Sequence, residues 1–445
     1  MTRPPYASCN DSGLRWLGRV PAHWTMRPLW TLFRRVKRTG FSREQLLSVY
    51  RDYGVIPKAS RDDNFNKASD DLDSYQLVQP GDLTINKMKA WQGSVAISSF
   101  RGIVSPAYFV FAPSHEEEPR YLHYLLRSVE YTTGYLSMSK GIRPNQWDLE
   151  PQEHSRMPVL LPPPGEQVAI ARFLDRETAK IDALVGEQQR LVELLREKRQ
   201  AVISHAVTKG LDPTASMTDT GIEWLGRVPE HWEVARLKRI SPEITVGIVV
   251  EPSKYYVNAG VPALRSLNIR QGAVDTKDCV FISAEANDLL KKSQLRKGDL
   301  VAVRTGQPGT TAVIPPELDG CNCIDLIIIR KPKAGSERYL CWYLASDIAV
   351  RQFAEGSGGA IQQHFNVGTA MDLVVTWPSV SEQEAIVAFL EIATSRIDKL
   401  SAEAQTAIDL LRERRAALIS AAVTGKIDVR RLVEAGKPAG VVVAA

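Results

Sequence analysis

The chain has 445 residues, 44% hydrophobic and 24% charged, an ordinary balance for a globular protein of about three domains. This size excludes a small disulfide-stapled scaffold, the balance excludes a disordered chain, and five cysteines, an odd number, fit a reducing cytoplasm. Lysine plus arginine is 56 against 51 aspartate plus glutamate, a net charge of +5, so affinity for nucleic acid would need charge gathered on particular surfaces.

Residues 1–6 lack the apolar core of a signal peptide, and apolar runs such as 326–329 and 441–445 are too short to span a membrane. Pro4-Pro5-Tyr6 follows Arg3 instead of the Asn or Asp of an amino-methyltransferase tetrad, and reads as a loose terminus. The first marked segment is Leu14-Arg15-Trp16-Leu17-Gly18-Arg19-Val20-Pro21-Ala22-His23-Trp24.

Residues 25–160 read as mixed α+β, with strands at 92–98 and 107–111 and a short helix at 120–128. Two polar, aromatic-bearing loops stand out. One, at 86–92, carries Lys87, Lys89, Trp91 and Gln92; the other, at 140–147, carries Arg143, Asn145 and Gln146. Lys, Arg, Asn and Gln read base edges in the major groove, and Trp stacks on bases or buttresses a loop. The basic run 34–38 reads equally as a phosphate contact or as a solvated helix face.

From 166 to 206 there is no Pro and only one Gly, with apolar positions at steps of three, four and seven: Phe173, Leu174, Ile181, Leu184, Leu191 and Leu195. This predicts a helix of about 40 residues, roughly 60 Å long, ended by Gly210. A single stripe on so long a helix needs a partner.

The unit is then written again. Ile222-Glu223-Trp224-Leu225-Gly226-Arg227-Val228-Pro229-Glu230-His231-Trp232 repeats the opening segment 208 positions on. Residues 233–376 form a second mixed α+β insert, with strands at 299–304 and 323–330 and a helix at 338–352. Its candidate reading loops carry Arg265 and Asn268, then Arg304, Thr305 and Gln307, then Gln362, Gln363 and Asn366. Cys321-Asn322-Cys323 lacks the second pair of ligands that a zinc site needs and reads as small residues near a buried strand. A second long helix over 381–422 opens with Ser381 and Glu384 as a capping box. Its stripe includes Phe389, Leu390, Ile397, Leu400, Ile408 and Leu411, offset by 216 from the first.

The two helices are expected to pack as a coiled-coil spacer, although Gln188 and Ala404 interrupt the stripes and leave pairing with another protein open. The repeats match at their ends and diverge in their centres, where Gly81-Asp82-Leu83 against Gly298-Asp299-Leu300 is an isolated echo. A duplicated frame with two differing inserts suggests two related recognition tasks. No P-loop and no Gly-x-Gly-x-x-Gly after a strand is present. The histidines at 23, 115, 123, 154, 205, 231 and 364 fall at neither metal nor triad spacings, and His23 and His231 read as frame-packing residues.

The combination of Trp-Leu-Gly-x-Val-Pro-x-His-Trp, Gly-Asp-Leu and Glu-Gln-x-x-Ile-x-x-Phe-Leu, in that order and twice over, resembles the specificity subunits of type I restriction-modification systems. The resemblance implies an α+β chain with two target recognition domains, 1–160 and 213–376, each a mixed, curved β-sheet with short helices. Long helices at 161–212 and 377–428 would form an antiparallel coiled coil, followed by a tail at 429–445. It implies a non-catalytic, cytoplasmic DNA-binding subunit that reads a bipartite asymmetric target. Two methyltransferase subunits and restriction-translocase subunits would be its partners, supplying S-adenosylmethionine, ATP and Mg2+, with no cofactor, metal or membrane bound by this chain. Two other classes remain: a self-sufficient DNA enzyme, against which the missing cofactor motifs count, and a coiled-coil scaffold that never meets DNA.

Overall fold

The computed structural model describes residues 5–51, 53–61, 69, 71–143, 146–306, 309–355 and 365–430. The chain divides into two compact units, residues 1–188 with 406–445 and residues 189–405.

Unit 1 is built on a four-stranded antiparallel sheet. Its strands β1 (Phe33–Val36), β2 (Leu83–Asn86), β3 (Val95–Ile97) and β4 (Tyr108–Pro113) lie in the order β1-β4-β2-β3. Side chains alternate across the sheet. Leu83, Ile85, Val95, Ile97, Phe109 and Phe111 enter one core, while Ala96 and Val110 enter another with Leu47, Val49 and Val55. Both faces are covered, which is why the strands read as unbroken apolar runs. Helices α1 (Pro119–Leu126) and α2 (Val129–Ser137) supply Tyr121, Tyr131 and Tyr135, fully buried yet hydrogen-bonded to carbonyls of Leu160, Pro158 and Leu126 at 2.9–3.0 Å. A hairpin follows, β5 (Ser139–Arg143) with β6 (Gln146–Leu149). The basic run 34–38 falls largely on strand β1 and not on a helix. Helix α3 (Pro164–Lys209) then begins.

Unit 2 repeats the same sheet. Strands β7 (Ile244–Val246), β9 (Leu300–Val303), β10 (Thr311–Val313) and β12 (Leu326–Ile329) lie in the order β7-β12-β9-β10. A second sheet, absent from the four-strand frame, includes β8 (Val261–Leu264) paired in parallel with β11 (Asn322–Cys323). The strand expected over 323–330 is thus two strands broken at Asp325, whose backbone is left-handed with φ of 52°. The helix expected over 338–352 also breaks, into α4 (Glu337–Leu344) and α5 (Asp347–Glu355), where the buried Ser346 hydroxyl accepts from Ala349 N at 3.3 Å. Cys321 and Cys323 lie buried in the core of this unit, and burial pushes the Cys321 thiol up to about 12. Helix α6 (Val380–Val423) is capped by Ser379, not Ser381: its hydroxyl accepts from Glu382 N at 3.3 Å.

The shielded positions of α3 alternate by four and three: Ala171, Leu174, Thr178, Ile181, Val185, Gln188, Val192, Leu195, Arg199, Val202, Ala206. Those of α6 follow the same pattern from Val387 to Ala422, each 216 positions on. This heptad row corrects the expected stripe. Phe173, Leu174, Ile181, Leu195, Leu390, Ile397 and Ile408 are buried and Leu411 is half-buried, but Leu184, Leu191, Phe389 and Leu400 are 41–51% exposed. Leu184 and Leu191 lie one position off the row that Val185 and Val192 occupy. Apolar residues fall in both rows and polar ones interrupt both, so residue type alone does not choose between them. In unit 1 Arg415 Nε donates to Asp182 at 2.8 Å, and in unit 2 Arg199 Nε donates to Asp398 at 2.8 Å. These are the same pair under the repeat, with the roles of the two helices exchanged.

The repeated frame residues latch each unit. His23 Nε2 lies 2.9 Å from Glu166 and His231 Nε2 3.0 Å from Glu382, so both histidines hold the glutamate in the first turn of a long helix. Tyr6 donates to Glu166 as well and is 6% exposed, which corrects the reading of a loose terminus at Tyr6, while Pro4 lies outside the described residues. Gln167 and Gln383 each accept from the backbone N–H that opens the domain helix, Glu118 at 3.0 Å and Ser336 at 2.7 Å. Gly425, ending α6 with φ of 72°, admits no side chain: a Cβ there would lie 2.3 Å from Pro21. The Gly-Asp-Leu echo is a staple. Asp82 accepts from Arg38 and Asp299 from Arg330, each at 2.6 Å.

Candidate nucleic-acid interface

In unit 1 the two loops singled out by composition form one surface. Strand β2 ends at Asn86, whose side-chain oxygen accepts from Met88 N at 3.2 Å. Trp91 Nε1 donates to Met88 O at 3.1 Å, and its ring lies 5.0 Å from that of Trp147 on β6. Leu149 N donates to Lys87 O at 3.0 Å, and Lys87 Nζ lies 3.8 Å from Asp148. Trp91 and Gln92 are half-buried, so Trp91 buttresses the junction instead of standing free as a stacking platform. Lys89 and Lys140 are exposed beside it. The backbones of Arg143 and Gln146 pair across the hairpin, but their side chains lie outside the described residues, as does Asn145 altogether.

A third element, which composition did not flag, joins this surface. The hairpin of Leu47–Tyr50 and Gly54–Pro57 presents Arg51 beside Gly93, where a Cβ would lie 3.8 Å from Arg51 Cγ. The Arg61 guanidinium lies 4.5 Å from the Tyr53 ring and 5.4 Å from that of Tyr50. The only sequence signal was a Gly54 turn between two short apolar runs. Within the basic run 34–38, Arg38 is half-buried and held by Asp82, while Arg34, Arg35 and Lys37 are exposed, Arg35 with its guanidinium 4.3 Å over the Phe109 ring.

In unit 2 the candidates separate into structural and presenting residues. Asn268 is fully buried. Its oxygen accepts from Arg265 N at 2.9 Å, and its amide donates to the carbonyls of Asp275 and Lys277 at 3.0 and 3.1 Å. It staples the loop and cannot read a base. Asn366 is exposed, but its oxygen caps the helix Val367–Asp372 by accepting from Thr369 N at 2.9 Å. Arg304 and Thr305 are half-buried at the end of β9, with Arg304 Nη1 2.6 Å from Asp325 Oδ1. Gly309, which closes this loop with φ of 87°, packs so tightly that a Cβ would lie 2.2 Å from the Phe353 ring. Gln307, Gln362 and Gln363 lie outside the described residues. The loop at 304–309 thus follows β9 as the loop at 87–93 follows β2.

Among the described residues, no group of three or more His, Cys, Asp or Glu could hold a metal ion, and no helix is long and apolar enough to cross a membrane.

The family model of the type I restriction modification DNA specificity domain matches residues 23–193. The chain is 24% identical over 310 residues to the type I restriction enzyme EcoKI specificity subunit of Escherichia coli K12, an alignment covering 64% of this chain and 62% of that one. The EcoBI specificity subunit of Escherichia coli is also 24% identical, with 61% of this chain and 58% of the relative covered. The chain therefore spans about three-fifths of the length of these two relatives. A chain assigned as the MjaX specificity subunit of Methanocaldococcus jannaschii is 23% identical, with 93% and 96% covered. In fold, the protein resembles a chain from a structure on complex assembly and conformational transition of the type I R-M system, with a TM-score of 0.69, 16% identity, and 92% and 99% of the two chains covered. It also resembles the HsdS subunit from Thermoanaerobacter tengcongensis, with a TM-score of 0.50, 17% identity, and 94% and 100% covered.

Proposed function

We propose that this chain, which carries the type I restriction modification DNA specificity domain and is similar to type I specificity subunits along most of its length, is the non-catalytic DNA-reading subunit of such a system. The observation that carries the reading is one sheet frame, built twice in the same strand order, presenting two chemically different loop sets. Loops 86–93 and 139–149 of unit 1 offer lysines around a tryptophan pair, and unit 2 offers arginines at the ends of β8 and β9. Different side chains on a common frame read different base edges, so each unit reads one half of a bipartite, asymmetric target. The long helices set the distance between half-sites and dock two methyltransferase subunits, with restriction-translocase subunits joining the assembly in the cytoplasm. Leu184 with Leu400 and Leu194 with Leu410, all 45–60% exposed and related by the repeat, are the natural docking positions on the helices. The partners bring S-adenosylmethionine for adenine methylation and ATP with Mg2+ for translocation and cleavage.

Co-expression with a type I methyltransferase subunit, followed by methylation mapping, tests this. The expected result is adenine methylation at a two-part motif with unlike halves, and none from the purified chain alone. Methyl transfer by the chain itself would identify an enzyme. No salt-dependent DNA binding and no methylated motif would leave a coiled-coil scaffold.

A further inference from the structure

Asp325 sits between strands of the two four-stranded sheets described for unit 2. On one side, Ile324 N donates to Leu264 O at 2.8 Å, so Arg265 leaves β8 beside it. On the other, Leu326 of β12 pairs with Val303 of β9, so Arg304 leaves the neighbouring strand beside it. Asp325 N also donates to Ile248 O at 3.1 Å, which brings up Val249 and Val250, 49% and 67% exposed. The register therefore brings two arginines and two exposed valines to the neighbourhood of one aspartate, a juxtaposition that separations of 21 to 76 positions in the chain hide.

The pairing is unusual in three ways. Arg304 Nη1 binds Asp325 Oδ1 at 2.6 Å with the arginine side chain 25% and the carboxylate 46% exposed, so neither is sealed in the core. Asp325 and Asp278 are two of three described non-glycine residues with positive φ, and Asp278 O accepts from Arg265 Nη2 at 2.9 Å. Both arginines also keep a buried Nε without a hydrogen-bond partner among the described residues. A partly exposed ion pair adds little to stability, and left-handed backbone opposes it. Strained backbone and orphan donors persist where function requires them.

We propose that Asp325 is a specificity-determining positioning residue of the second recognition unit: it holds Nη1 of the Arg304 guanidinium so that the remaining Nη N–H groups meet a guanine in the major groove. This rests on the DNA-reading function proposed above. Guanine is the base that offers two acceptors, N7 and O6, to such a fork, and the exposed valines suit a neighbouring thymine methyl. A fork left free to rotate discriminates less, because several orientations then reach phosphate or a wrong base equally well.

The test uses the full chain in complex with its methyltransferase subunits, acting on DNA randomised at the second half-site. Arg304→Ala is expected to lose roughly tenfold to a hundredfold preference for guanine at one base pair. Asp325→Ala should lose roughly tenfold at that same base pair, with the first half-site and the melting temperature unchanged. Asp325→Asn, which keeps the acceptor, should restore part of the preference. Preserved preference with a lowered melting temperature would overturn the proposal and make the pair structural. Loss at a different base pair would also overturn it, since Asp325 would then read DNA by itself. An unmutated complex that marks no defined site would overturn the DNA-reading function, and this role with it.

Discussion

At the scale of single residues, the structure separates side chains that hold loops from side chains that face outward, a distinction residue type does not carry. Asn268 and Arg265 are three positions apart and look equally suited to base reading, yet Asn268 is enclosed by three backbone hydrogen bonds. Asn268→Ala should destabilise unit 2 by about 3 kcal/mol, because three backbone groups that the buried amide joins lose their partner. Denaturant unfolding would show it, and sequence preference among folded molecules should not move. His154 makes the opposite case. It is 1% exposed, packed against Phe111 and Tyr135, and neither ring nitrogen has a hydrogen-bond partner among the described residues. Burial depresses its pKa to about 4. The unfolded chain takes up a proton near pH 6.5 that the folded chain refuses until about pH 4. Unit 1 should therefore lose roughly 3 kcal/mol of stability as pH falls through that window. His154→Leu should flatten this dependence and raise stability at pH 5, as read by urea midpoints across pH; an unchanged pH profile would refute the account.

At the scale of elements, both long helices were legible from the absence of proline and from apolar periodicity, and Gly210 ends the first with φ of 77°. The seam was not. Leu184, Leu191, Phe389 and Leu400 were larger and more conspicuous than Val185, Val192, Val387 and Ser401, but the 3.5-residue repeat selects the latter row. Ile408, 2% exposed, should cost about 3 kcal/mol when cut to Ala, whereas Leu184→Gln should stay within about 0.5 kcal/mol. Thermal melting of the two variants decides between the registers. The repeated head motif was equally visible, but its meaning was not. Only packing shows that its histidine and the Glu of Glu-Gln form one latch, 143 positions apart in the first copy and 151 in the second.

At the scale of the whole molecule, the exchange of Asp182–Arg415 for Arg199–Asp398 means that each copy offers what the other needs. Tyr121 of the first copy reaches Val423 O at the end of α6, and Tyr339 of the second reaches Val207 O near the end of α3. Two molecules of a fragment of residues 1–212 can therefore make the same contacts with each other, Asp182 facing Arg199 of the second molecule across a two-fold axis. The fragment is expected to dimerise more weakly than the intact chain holds together, and to direct methylation to a palindrome of the first half-site. Sedimentation across concentration and methylation mapping check this; a fragment that stays monomeric, or marks an asymmetric site, would show the halves are not interchangeable. Lengthening the helices tests their role as a ruler. Seven residues added after both Val185 and Ser401 keep the heptad seam in register and add about 10 Å. Mapped half-sites should move apart by about three base pairs at 3.4 Å each, with their sequences kept. Unchanged spacing would end the ruler idea.

Sequence by itself determined what is local or periodic. It carried the duplication, because repeats match residue for residue at their ends, and it carried the helices, because 3.6-residue periodicity is written along the chain. The character of the loops followed from composition. What the tertiary structure decided is which distant positions meet. The twin sheets were hidden because strands buried on both faces need only be apolar, so their sequences drift while the strand order stays. The meeting of Trp91 with Trp147, and of Arg304 with Asp325, depends on strand register, which one-dimensional spacing does not encode.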